Sequence, residues 1–179
     1  MNRKGIRTMG HINVEIKAKC SDQEKVREIL KSHDADFKSV DRQIDTYFKV
    51  PTGRLKLREG NIENYLIFYE REDKEGPKQS NVILYKTESR SNLKEILTKS
   101  LGVLAVVDKQ REIYFIDNVK FHLDSVQGLG TFMEIEAIDT TGNIGKEKLL
   151  DQCNHYLKLF GTQESDLLEN SYSDQIMKL

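Results

Sequence analysis

The chain has 179 residues, of which 37% are hydrophobic and 32% charged, the length of one domain with enough apolar material for a core. Its 28 Lys and Arg against 29 Asp and Glu leave a net charge of −1, without the basic excess that non-specific binding to nucleic acid or an anionic membrane favours. Two cysteines, Cys20 and Cys153, cannot build a disulfide framework, and no apolar run reaches the ~20 residues of a membrane span. The expectation is a single cytoplasmic domain with no signal peptide and no membrane partner.

Residues Met1–Gly10 are basic and aperiodic, and read as a loose extension ahead of a domain covering 11–179. From His11 to Cys20 the chain alternates, with Ile12, Val14, Ile16 and Ala18 on one side, which predicts a strand. Ser21 and Glu24 then match a capping box, so a helix is predicted from Ser21 to about Asp34. Strands are predicted at Ile44–Val50, Gly53–Glu59, Tyr65–Arg71 and Asn81–Thr87, separated by Pro, Gly and Asn breaks. A second helix is expected over Ser91–Leu101, closed by Gly102. Strands resume at Val106–Ile116, Val119–Val126 and Thr131–Ala137. A helix from about Ile144 to Phe160 and a short helical tail end the chain.

The polar residues alternating with the apolar ones carry the functional signal. Glu15, Lys17 and Lys19 share one face of the first strand; Arg54, Lys56 and Arg58 share one face of another, and Arg71 closes the next. Lys109 pairs with Arg111, His122 with Asp124, and Glu134 with Glu136. On any single strand this would be a solvated outer face. On five or more strands, with the helices elsewhere, it predicts a barrel with a charged interior. These faces hold eight basic and four acidic residues, an excess of +4 in a chain whose total is −1. Buried charges need partners, and a triphosphate with a divalent cation supplies both signs: oxygens for Arg and Lys, metal for the carboxylates.

Taken in order, these segments resemble the CYTH superfamily, which joins class IV adenylyl cyclases to thiamine and inorganic triphosphatases. The resemblance rests on Asn13-Val14-Glu15-Ile16-Lys17, on Gln43-Ile44-Asp45-Thr46-Tyr47-Phe48 and on Gly53 through Arg58. It continues through Lys109-Gln110-Arg111, the stretch Leu123–Phe132 followed by Glu134 and Glu136, and the ending Ser171-Tyr172-Ser173-Asp174. It is nearest to the class IV cyclase branch. It implies an α+β fold built on an antiparallel eight-stranded β-barrel, a triphosphate tunnel, with flanking helices. It also implies conversion of ATP to cyclic AMP and pyrophosphate with Mg²⁺ or Mn²⁺. Lys17, Lys109 and Arg111 would then be catalytic, and Lys19, Arg54, Lys56, Arg58, Arg71 and His122 would hold substrate. Glu15, Asp124, Glu134 and Glu136 would hold metal. Dimerisation is a further expectation from the same resemblance.

One residue departs from the pattern: Asn13 stands where the family has its first glutamate. One metal on Glu15 with Glu134 or Glu136 is then expected, while a second would lean on substrate oxygens and Asp124. Two competitors use the same residues: hydrolysis of the terminal phosphate of tripolyphosphate, thiamine triphosphate or a nucleotide, and non-catalytic binding of a nucleotide or polyphosphate. Other signals carry little. Gly128-Leu129-Gly130 precedes no helix and reads as a hairpin turn. His11, His33, His122 and His155 lack zinc-ligand spacing. The basic residues alternate with acids over many strands, a pattern unsuited to a long nucleic acid.

Overall fold

The computed structural model describes residues 11–71, 77–89 and 91–179, without the side chains of His11 and Arg71. The expected extension 1–10 lies outside the described residues. Eight antiparallel strands close into a barrel: β1 His11–Lys19, β2 Asp36–Phe48, β3 Arg54–Gly60, β4 Tyr65–Arg71, β5 Lys78–Lys86, β6 Val103–Ile116, β7 Val119–Val126 and β8 Gly130–Asp139. Around the barrel they run β1-β5-β4-β3-β2-β6-β7-β8, and β8 pairs back to β1. Among the described residues four α-helices accompany them: α1 Gln23–Ser32, α2 Leu93–Leu101, α3 Lys146–Phe160 and α4 Tyr172–Ile176. None of the described helices is long and apolar enough to cross a membrane.

The eight strands are those the alternation marks, with three extended at their starts. β2 begins at Asp36, well before Ile44, and carries a bulge between Phe37 and Ser39. β5 begins at Lys78 and β6 at Val103. At the start of α1 the capping residue is Asp22, whose carboxylate accepts from the Lys25 backbone N–H at 3.0 Å, rather than Ser21. The reciprocal capping box occurs instead at α4, between Ser171 and Asp174. Gly128, at φ 79°, makes the tight turn between β7 and β8 that the sequence predicts.

The main apolar core lies outside the barrel. Val14, Ile16 and Ala18 of β1, Phe121 and Leu123 of β7, and Ile135 of β8 turn outward against Val26 and Leu30 of α1 and Leu149, Cys153 and Phe160 of α3. The alternate residues of the same strands face the interior, so the usual disposition of a small barrel is inverted. One end of the interior is sealed by a second apolar group, in which Tyr172 of α4 packs on Phe132 with Tyr47, Ala105 and Val107.

Leu149 is fully buried beneath α3, so Leu149→Ala should cost about 2–5 kcal/mol in urea unfolding. Ile96→Ala on α2, where Ile96 is 60% exposed, should stay within about 0.5 kcal/mol.

Candidate active site

Inside the barrel is a cavity of about 140 Å³. Its lining runs from Tyr172 at the sealed end to Glu63, Lys120 and Leu84 near the ends of strands at the other. Among the described residues six lining side chains are cations: Lys17 from β1, Lys56 and Arg58 from β3, Lys109 and Arg111 from β6, and Lys120 from β7. Four are carboxylates: Glu15, Glu63, Glu134 and Glu136.

Asp45 organises one side of this interior. It is fully buried, and its two oxygens accept from Arg58 Nε at 2.8 Å, Arg58 Nη2 at 3.0 Å, Lys56 Nζ at 2.9 Å and Lys109 Nζ at 2.9 Å. Burial alone would raise its pKa, but the three cations around it outweigh that and hold its carboxyl well below the usual carboxylate range. Lys109 feels the opposite balance. Burial, together with the Arg111 and Arg58 charges, pushes its ammonium well below the ordinary lysine range against the pull of Asp45 and Asp124. An anion placed beside Lys109 would therefore favour its charged form.

Arg111 organises the other side. Its guanidinium forks onto Asp124, Nε to Oδ1 at 2.6 Å and Nη2 to Oδ2 at 2.5 Å, and Nη2 also reaches Glu134 Oε2 at 2.8 Å. The Tyr172 hydroxyl donates to the same Asp124 at 2.9 Å, so α4 both seals the barrel and braces the Arg111 fork. Lys17 pairs with Glu134 Oε1 at 3.2 Å and lies 4.3 Å from the Tyr172 ring centre. Glu63 enters from the β3–β4 loop and bridges the strands, accepting from Arg58 at 2.8 Å and Lys120 at 2.6 Å.

His122 is neutral. Burial and the nearby Arg111 and Lys120 charges push its imidazole down to about 3, against the opposing pull of Glu134. Its Nδ1 lies 3.1 Å from Glu134 Oε2, which places the proton on Nδ1 and leaves Nε2 as an acceptor.

Nine of the residues expected at the site line one cavity: Glu15, Lys17, Lys56, Arg58, Lys109, Arg111, His122, Glu134 and Glu136. Three expected residues do not. Lys19 is exposed beyond the lining, and Arg54 reaches under the end of the barrel to Asp174 of α4 at 3.1 Å. Asp124 lies behind the lining with both oxygens taken by Arg111. The Arg71 side chain lies outside the described residues. Among the described lining residues the cations exceed the carboxylates by two, and Asp45 and Asp124 stand behind them as further carboxylates. Glu63, Lys120, Tyr172 and Asp45 are additions. Asp45 and Tyr172 stand in the quoted segments, Lys120 shares the parity of His122, and Glu63 lies in a loop with no periodic signal.

For a divalent cation, Glu15 of β1 and Glu136 of β8 are direct register partners. Burial and the Glu134 and Glu15 charges raise the Glu136 carboxyl, a repulsion that a cation relieves. No three His, Cys, Asp or Glu side chains among the described residues converge as a metal cage. Mg²⁺ commonly takes one or two carboxylates and completes its shell with phosphate oxygens and water, so this pair fits it.

Two predictions follow from the charge network. Replacing Asp45 with Asn leaves three buried cations short of their carboxylate and should cost about 3–5 kcal/mol in unfolding free energy. His122, near 3 folded against ~6.5 unfolded, takes up its proton first in the unfolded chain. Stability should therefore fall as pH drops below ~6.5 toward 3, and His122→Gln should flatten the upper part of that fall in melting curves.

Comparison with known proteins agrees with this architecture. The model of the CYTH domain matches residues 11–169. A protein of Methanocaldococcus jannaschii, provisionally named an adenylate cyclase, is 30% identical over 176 residues, covering 90% of this chain and 96% of that one. The PH1012 protein of Pyrococcus horikoshii superposes with a TM-score of 0.75 at 26% identity, covering 92% of this chain and 99% of the other. A Hippeastrum protein, provisionally an adenylyl cyclase but with a dominant triphosphatase activity, shares the fold with a TM-score of 0.63 at 14% identity, over 94% and 95% of the two chains. With the family model spanning nearly all of a closed eight-stranded barrel whose interior is charged, the chain belongs to the CYTH-domain family.

Proposed function

We propose that the cavity takes the triphosphate of ATP and promotes attack of the ribose 3′-hydroxyl on the α-phosphorus, giving cyclic AMP and pyrophosphate. The observation that carries this reading is the convergence of cations from four strands on one cavity sealed at one end. The M. jannaschii relative's provisional name supports cyclisation over hydrolysis.

Lys56, Arg58 and Lys109 are held ready by Asp45, and their remaining N–H groups address phosphate oxygens without reorganising. Arg111, fixed by Asp124 and Glu134, and Lys109 beside it offset the charge that grows on the departing pyrophosphate. Lys17, braced on Glu134 and Tyr172, meets charge on the phosphoryl group under attack. Glu15 and Glu136 would hold Mg²⁺ or Mn²⁺, which supplies Lewis acidity toward the phosphate oxygens when bound. The sealed end and buried walls keep the local dielectric low, which strengthens each of these contacts.

Hydrolysis is the second reading, favoured by the dominant triphosphatase activity of the Hippeastrum protein that shares the fold. Incubation with Mn²⁺ and ATP, followed by ³¹P NMR, separates the two. Pyrophosphate with cyclic AMP is the expected outcome, orthophosphate assigns hydrolysis, and unchanged ATP overturns both cyclisation and hydrolysis of ATP. Lys109→Met should lower kcat by at least ~100-fold. Glu15→Gln should raise the Mn²⁺ concentration for half-maximal rate by ~10-fold or more.

A further inference from the structure

The cations and carboxylates of the cavity occupy only part of its wall. From β4 the described lining side chains are Tyr65, Ile67 and Tyr69, and from β5 Ser80, Val82 and Leu84. Ile67, Tyr69 and Val82 form a buried apolar cluster with Tyr65 packed against it. A triphosphate chain has no use for such a surface, whereas a flat apolar ring does.

Two neutral polar atoms stand beside this wall. Asn13 faces Ser80 in the β1–β5 register, and both residues line the cavity. Asn13 is 2% exposed and Ser80 1%, yet among the described residues Asn13 Oδ1 and Ser80 Oγ have no hydrogen-bond partner. Asn13 Nδ2 donates to Glu136 Oε1 at 2.5 Å, which turns the amide so that its oxygen is the acceptor left over. A glutamate at this position would crowd Glu15 and Glu136 with a third negative charge. Asparagine instead gives a neutral acceptor at the junction of the charged and apolar walls.

We propose that the β4–β5 wall with Asn13 and Ser80 is a subsite for an amino-substituted heteroaromatic ring of an organic triphosphate. Its apolar side chains cover the ring face, and Asn13 Oδ1 accepts from the ring's exocyclic amino group. Ser80 Oγ meets a second polar atom on the ring edge. Adenine in ATP and the aminopyrimidine of thiamine triphosphate both carry this chemistry, while inorganic tripolyphosphate carries none. The assignment rests on the triphosphate reading above and narrows its substrate class.

Calorimetric titration in excess chelator, which prevents metal-dependent turnover, tests it with ATP, ITP, thiamine triphosphate and tripolyphosphate. ATP or thiamine triphosphate should bind at least about tenfold more tightly than tripolyphosphate, and the tighter of the two identifies the ring. If that ring is adenine, ITP, with a carbonyl in place of the amino group, should lose about tenfold against ATP. Asn13→Ala and Ser80→Ala should each weaken the preferred ring-bearing ligand about tenfold and leave tripolyphosphate binding unchanged, which also shows that the variants fold. Equal affinity for tripolyphosphate and both ring-bearing ligands, or variants that weaken all of them alike, would overturn the subsite while leaving the triphosphate reading standing. Binding of none would remove both.

Discussion

A buried carboxylate holding three cations sets the terms for the rest of this molecule. Asp45 has no access to water, and Lys56, Arg58 and Lys109 all close on its two oxygens. Removing that many charges from water costs several kcal/mol each unless they are paired and hydrogen-bonded. The barrel meets the cost twice, at Asp45 and again at the Arg111–Asp124 fork. An interior filled in this way cannot serve as the apolar core. The core is therefore displaced to the outside of β1, β7 and β8, where α1 and α3 cover it. Strand alternation, helix placement and cavity chemistry are three consequences of one choice about which face turns inward.

That choice makes the interior useful. Cations fixed by internal carboxylates already sit where an anionic substrate needs them, so little reorganisation accompanies binding. Lys109 shows the balance most clearly, because burial and neighbouring cations lower its pKa and an incoming phosphate would favour its charged form. The cap formed by α4 joins stability to the site: Tyr172 closes the apolar end, bonds Asp124 and lies beside Lys17 and Lys109. Weakening the cap would loosen the Arg111 fork along with the seal.

Period-two alternation made the strands and their inward faces legible, since each set of charges had to share one side. It reports the face but not the depth. Lys19 and Arg54 have the right parity and lie at strand ends, past the cavity, where Arg54 meets Asp174 instead. Asp124 also has the right parity, but its pairing with Arg111 depends on the β6–β7 register, which no local pattern reveals. The start of β2 was hidden because Asp36 to Gln43 is polar on both faces. The buried Asp41 carboxylate accepts from the Ile62 and Glu63 backbone of the β3–β4 loop, and the buried Gln43 amide nitrogen donates to the Glu63 side chain. Glu63 itself could be found only by knowing where that loop folds. α4 is five residues long, too short for a helical period to foretell that it seals a barrel.

The central claim is that the paired charges of the interior form a triphosphate site. The most direct test is a crystal structure with α,β-methylene-ATP, which cannot release pyrophosphate. The account predicts its phosphates inside the barrel, within hydrogen-bond distance of Arg58, Lys109 and Arg111. Phosphates bound at Arg54 and Lys19 outside the α4 seal, with the Asp45 and Asp124 networks untouched, would contradict it.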